Sequence, residues 1–125
     1  MTGTHITGTC HCGAVRITLP RRPDYINDCN CTLCTTLGAL WCYFPVAEVR
    51  IEAAPGAIAA YIRADLDENW LSTHHCTTCG TTTHWAPLPG RSLDRMGVNV
   101  RMFDEEAMAG VEGREVDGRG VVVRR

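Results

Sequence analysis

The sequence has no lysine; all twelve of its basic residues are arginine. That excludes a Schiff-base lysine and a lysine general base, so any chemistry must come from metal, cysteine, histidine or carboxylates. No apolar run approaches the roughly 20 residues that a membrane helix requires. The opening stretch Met1–Gly8 has neither a basic flank nor an apolar core, so it does not read as a secretory signal. Charge of one sign is also lacking: the formal net charge is −2, which gives no electrostatic case for nucleic acid or an anionic membrane as partner. Aromatic residues are few, at 6%, but apolar residues reach 45%, enough for a folded core in a chain of 125 residues.

Cysteine is what the chain has in quantity. Eight thiols without an export signal point to a reducing, cytoplasmic location and to metal binding in preference to disulfides. Four disulfides in a secreted domain are the alternative, and the adjacent Cys-x-Cys pairs are poorly placed to bond to each other. The densest stretch is Asp28-Cys29-Asn30-Cys31-Thr32-Leu33-Cys34, read as a loop with three thiols within six residues. Cys10-His11-Cys12-Gly13 and Cys76-Thr77-Thr78-Cys79-Gly80 are two further half-sites, each backed by a glycine that permits the tight turn of a metal knuckle. Joined, these two pairs would make a closed four-cysteine zinc site that contributes to folding, although spacing alone leaves the pairing open. Cys29, Cys31 and Cys34 would then hold a second zinc with one position free. Three thiolates give that centre a net charge of about −1, which blunts its acidity toward water and suits it to an incoming thiol. A fourth protein ligand, Cys42 or a histidine, would instead close the site and make it structural.

The remaining polar and aromatic candidates have quieter readings. Cys42 lies in an aromatic stretch and reads as core. His11 should point away from the metal, and His74, His75 and His84 read as strand residues with satisfied rings. Trp41, Trp70 and Trp85 read as core packing before pocket walls. Asp28 orients a ligand or caps a turn.

Hydrophobic patterning predicts a mainly β fold. Val15, Ile17 and Leu19 alternate with polar residues, and Ile6, Gly8 and Cys10 have the opposite parity, so the register changes near Gly13. Further strands are expected over 38–45, 49–52, 57–63, 70–76, 81–85 and 95–101. Residues 76–80 form a hairpin turn, and Asp104 caps a short helical turn through Met108. Residues 110–125, with Val121-Val122-Val123, form an edge strand or a tail.

Gly8-x-Cys10-x-Cys12-Gly13-x-Val15, Cys29-x-Cys31-x-x-Cys34 and Cys76-x-x-Cys79-Gly80 together resemble the glutathione-dependent formaldehyde-activating (GFA) enzyme family, which includes centromere protein V. The likeness runs from Ile6 to Met108 and includes Gly56, Tyr61 and residues 98–104. It implies several small twisted antiparallel sheets built around cysteine-bound zinc, with little helix. Residues 1–109 would be the zinc-binding domain and 110–125 a strand or tail of the same domain. The resemblance also implies two Zn²⁺ per chain, a structural one on Cys10, Cys12, Cys76 and Cys79 and a catalytic one on Cys29, Cys31 and Cys34. The implied activity is carbon–sulfur lyase chemistry on a thiol–aldehyde adduct such as S-hydroxymethylglutathione. Two positions depart from the family pattern. Thr35-Thr36 stand where an arginine commonly follows the triplet, removing a cation that an anionic thiol such as glutathione would meet. His75 stands where phenylalanine commonly precedes the last cysteine pair. The contrasting possibility is a non-catalytic binding or scaffold module in which both metals are structural.

Overall fold

The computed structural model describes residues 5–118. Its ten strands are β1 (Ile6–Thr9), β2 (Val15–Leu19), β3 (Tyr25–Cys29), β4 (Trp41–Phe44), β5 (Arg50–Ala53), β6 (Ile58–Tyr61), β7 (Leu71–Cys76), β8 (Thr82–Pro87), β9 (Met96–Asn99) and β10 (Glu112–Val116). A single α-helix is described, α1 (Thr32–Leu37), with three short 3-10 turns. The strands collect into a three-stranded sheet, β1-β2-β5, and a seven-stranded sheet, β10-β3-β4-β9-β8-β7-β6. The fold is mainly β with little helix, as the patterning predicts. Pairing is antiparallel except between β10 and β3, which run parallel with Glu112 opposite Tyr25 and Val116 opposite Cys29.

The alternation of β2 translates directly into packing: Val15, Ile17 and Leu19 are fully buried, and Arg16 is exposed. On β4 the same period puts Cys42 and Phe44 into a core shared with Met96 and Val98 of β9. Cys42 is 0% exposed, so its core reading holds, and burial pushes its thiol up to about 12. Gly8 lies where a Cβ would meet the Phe103 ring at 2.8 Å, so the first strand needs a glycine there to lie against the 3-10 turn over Val100–Met102.

Two expectations differ from the structure. The triplet is not all loop: Cys29 ends β3 and Cys34 sits in α1, which Gly38 caps with φ of 68°. Asp104 precedes the 3-10 turn Glu105–Met108, but its side chain makes no capping hydrogen bond. Val121–Val123 lie outside the described residues. No helix among the described residues is long and apolar enough to cross a membrane.

Candidate metal centres and the adjoining cavity

The two glycine-backed half-sites are both hairpin turns. Between β1 and β2, the Gly13 N–H bonds to the Cys10 carbonyl at 3.0 Å, and Gly13 takes φ of 84°. Between β7 and β8, the Gly80 N–H bonds to the Cys76 carbonyl at 3.0 Å, with Gly80 at φ of 80°. Such positive φ values cost glycine nothing and a β-carbon residue a good deal. The His11 N–H reaches across to Thr81 Oγ1 at 3.3 Å, which joins the two turns. The sulfurs of Cys10, Cys12, Cys76 and Cys79 thereby lie within 4.8 Å of one another, with Cys12 3.7 Å from Cys10 and 3.6 Å from Cys76.

The second cluster is assembled by α1 and the end of β3. Cys31 holds the N-cap position, where its Sγ accepts the Cys34 N–H at 3.3 Å as a serine oxygen would. Cys34 Sγ accepts the indole N–H of Trp41 at 3.3 Å. The sulfurs of Cys29, Cys31 and Cys34 also lie within 4.8 Å of one another, and neither Cys42 nor a histidine joins them among the described residues.

Both clusters fit a thiophilic metal. Sulfurs this close have no covalent bond among them, and all eight cysteines are free. Backbone N–H groups point at them, from Val15 to Cys10 at 3.3 Å and from Thr78 to Cys76 at 3.4 Å, the arrangement that orients and stabilises metal-bound thiolates. Protonation is uneven, as expected of crowded thiols. The Thr81 hydroxyl, with N–H groups of Thr81 and Cys12, pulls Cys79 down to about 5. The Ala14 N–H lowers Cys12, but desolvation and the thiols of Cys76, Cys10 and Cys79 outweigh it and raise Cys12 to about 11. In the triplet, burial drives Cys34 well above the usual thiol range, despite the Trp41 N–H. Burial also pushes Cys31 up, yet the Cys34 N–H, the neighbouring thiols and the Arg63 charge together bring it below its ordinary value. A four-sulfur group suits tetrahedral zinc or iron, and a three-sulfur group leaves one position for an incoming ligand.

Arg63 is a residue that sequence reasoning missed. It stands after β6, and its guanidinium clamps Asp65 through Nε at 2.6 Å and Nη2 at 2.8 Å. Nη2 also donates to Thr32 Oγ1 at 3.2 Å, and Thr32 in turn donates to Asp65 Oδ2 at 3.0 Å. A positive charge therefore does sit beside the triplet, although Thr35 and Thr36 are exposed and carry none.

A cavity of about 310 Å³ opens on the triplet, lined by Cys29, Cys31 and Cys34 together with Arg63, Tyr43, Trp41, Trp70, Trp85 and Leu71, among others. All three tryptophans line the cavity; Trp41 is also buried core, as expected, whereas the exposed Trp70 and half-buried Trp85 correct the expectation of core packing. Trp41 is 2% exposed, with its N–H spent on sulfur, whereas Trp70 is 45% exposed and stands at the mouth. The signal for Trp41 and Tyr43 was in the sequence: on a strand they share the face opposite Cys42. Tyr43 accepts a hydrogen bond from Asn27 Nδ2 at 2.9 Å, and burial raises its phenol, which stays protonated. Val116 of β10 also lines the cavity, so this strand contributes to the site.

The model of the family described as glutathione-dependent formaldehyde-activating enzyme matches residues 5–114. The chain belongs to the GFA family. Its fold is also similar to the crystal structure of a Rhodobacter sphaeroides protein, with a TM-score of 0.66 at 24% identity over 87% of this chain and 100% of that one. The seven cysteines that the resemblance singled out lie in two groups of close sulfurs that could each hold a metal ion. His11 is exposed and outside both. His74 and His84 stack on each other at 4.3 Å, with Ser72 bonded to His74 and Thr83 to His84, as satisfied strand histidines. Asp28 is exposed and is not among the residues that line the cavity.

Proposed function

We propose that this GFA-family chain is a zinc-dependent carbon–sulfur lyase that makes or cleaves a thiol–aldehyde adduct such as S-hydroxymethylglutathione. The observation that carries this reading is the opening of the three-sulfur cluster onto an aromatic cavity, with Cys42 turned away into the core. Two Zn²⁺ per chain are proposed. Cys10, Cys12, Cys76 and Cys79 would hold the structural one, and Cys29, Cys31 and Cys34 the catalytic one. Zinc at the triplet would supply a position that takes up a thiol as its anion.

The protein's own residues do the rest. The Trp41 N–H and the Cys34 N–H fix the orientation of two ligand sulfurs and spread their negative charge. Arg63 offsets the charge accumulated on the triplet, and Asp65 keeps its guanidinium in place. Tyr43, protonated and already accepting from Asn27, keeps its own proton to donate to an aldehyde oxygen in the cavity. The indole rings exclude water from the carbon–sulfur bond. Eight free thiols support a reducing, cytoplasmic setting.

The test is catalysis of adduct exchange. With formaldehyde and glutathione at equilibrium, two-dimensional exchange NMR measures the interconversion rate. The zinc-loaded protein is expected to raise it in proportion to enzyme concentration, and Cys31→Ser is expected to abolish the increase while the protein stays folded. An undiminished rate in Cys31→Ser would refute a catalytic triplet.

A further inference from the structure

The cavity beside the triplet has walls that are mostly apolar and aromatic, with a few polar residues among them. Tyr43, Trp70 and Trp85 supply aromatic surface, Trp41 adds little at 2% exposed, and Leu66 and Leu71 also line it. The single cation among its described lining residues is Arg63, which Asp65 already binds through two hydrogen bonds of 2.6 and 2.8 Å. The single carboxylate among the described lining residues is Glu68, which Arg91 meets at 3.2 Å. Arg91 in turn lies 4.4 Å over the Trp70 ring, holding the indole at the mouth of the cavity. Arg63 thus already serves Asp65 and the triplet thiols, and no second cation faces inward from the described lining residues. A ligand carboxylate placed there would lose its hydration without gaining a cation, which is costly, whereas a flat apolar group would gain aromatic faces on several sides. A volume of about 310 Å³ suits a small occupant, at the low end of ligand cavities.

We propose that the preferred substrate is an uncharged thiol–aldehyde adduct bearing a flat apolar group, an aryl ring foremost, seated among the three tryptophans with its sulfur at the triplet. This rests on the lyase reading of that site. In the cleavage direction the carbon–sulfur bond breaks and its electron pair stays on sulfur. The adduct hydroxyl passes its proton by way of the Tyr43 hydroxyl to solvent as its C–O becomes a carbonyl. The products are one thiolate, one aldehyde and one proton, and synthesis consumes the same three. Glutathione, with two carboxylates and one ammonium, is the poorer fit.

The experiment measures dissociation constants of the zinc-loaded full chain for 2-phenylethanethiol, 2-mercaptoethanol and glutathione by equilibrium dialysis. The expected result is binding of 2-phenylethanethiol roughly tenfold or more tighter than glutathione. Trp70→Ala, a change at an exposed position, is expected to weaken 2-phenylethanethiol by roughly fivefold or more and to leave 2-mercaptoethanol within about twofold. Glutathione binding as tightly as 2-phenylethanethiol would overturn the substrate class and leave the thiol-accepting site standing. Equal loss of both small thiols in Trp70→Ala, with an unchanged circular dichroism spectrum, would overturn the seat among the tryptophans. If no thiol binds, the lyase reading fails, and the substrate class with it.

Discussion

The indole N–H of Trp41 donates to the sulfur of Cys34 at 3.3 Å, so a buried strand residue is tied to a cluster residue seven positions earlier in the chain. Trp41 is 2% exposed and its strand pairs with β9 through the core, so this donor is held rigidly. Its removal should be felt at the metal more than in the fold. Trp41→Phe keeps most of the ring and loses the N–H. The expected result is roughly a tenfold to hundredfold drop in zinc affinity at the triplet, read by competition with a chromophoric chelator. The thermal midpoint of the metal-loaded protein should move by only a few degrees.

Gly118 also packs against the same cluster. A Cβ there would stand 2.8 Å from Cys29 Sγ and 2.9 Å from Cys31 Cβ, and the Gly118 N–H already bonds to Asn30 Oδ1 at 2.8 Å. Gly118→Ala is therefore expected to displace the triplet and lower its metal occupancy, while the four-cysteine cluster keeps its metal. Elemental analysis after dialysis should give about one zinc per chain instead of about two.

The two clusters should also differ in what they hold together. Cys10 and Cys76 are each 1% exposed and belong to the hydrophobic core, so a metal there ties two hairpins to it. Cys79→Ser is expected to abolish a cooperative unfolding transition or lower it steeply. Cys31→Ser should unfold close to the parent, because α1 buries no residue completely. Urea titrations with matched zinc concentrations distinguish the two outcomes, and equal destabilisation would count against separate roles.

His84 gives the fold a dependence on pH. Burial, with a smaller contribution from the His74 charge, lowers its ring to about 3 from an ordinary 6.5. The folded state thus binds fewer protons than the unfolded chain between these values, and stability falls as pH drops from about 6.5 toward 3. The limiting slope for one such group is about 1.4 kcal/mol per pH unit. His84→Asn should flatten the pH dependence between about 6.5 and 5, a window read by urea midpoints at fixed zinc.

Much of the candidate site was legible because thiol spacing is a local property. Cys10-x-Cys12-Gly13 and Cys76-x-x-Cys79-Gly80 each encode a turn with positive φ at the glycine, and the turns formed as expected. The alternation of Val15, Ile17 and Leu19 likewise specifies a buried face without help from elsewhere. Helix α1 was hidden because its sequence, Thr-Leu-Cys-Thr-Thr-Leu, contains three β-branched residues, and its cap is a cysteine sulfur. Arg63 was hidden because it lies 29 positions beyond Cys34 and reaches the cluster only through tertiary structure. The parallel pairing of β10 with β3, which brings Val116 beside Cys29, has no local signature either. Trp85 needs Gly97 opposite it, since any Cβ there would collide with the indole. Neither residue announces that relation alone.

X-ray absorption at the zinc edge reads whether the triplet accepts a thiol from outside the chain. With both clusters loaded, four and three cysteine sulfurs average to about 3.5 per zinc. This average is expected to rise to about 4 when thiol is added, with two zincs per chain throughout. An all-sulfur shell of about four per zinc before thiol, unchanged afterwards, would mean that the protein closes the site itself, and would contradict the account.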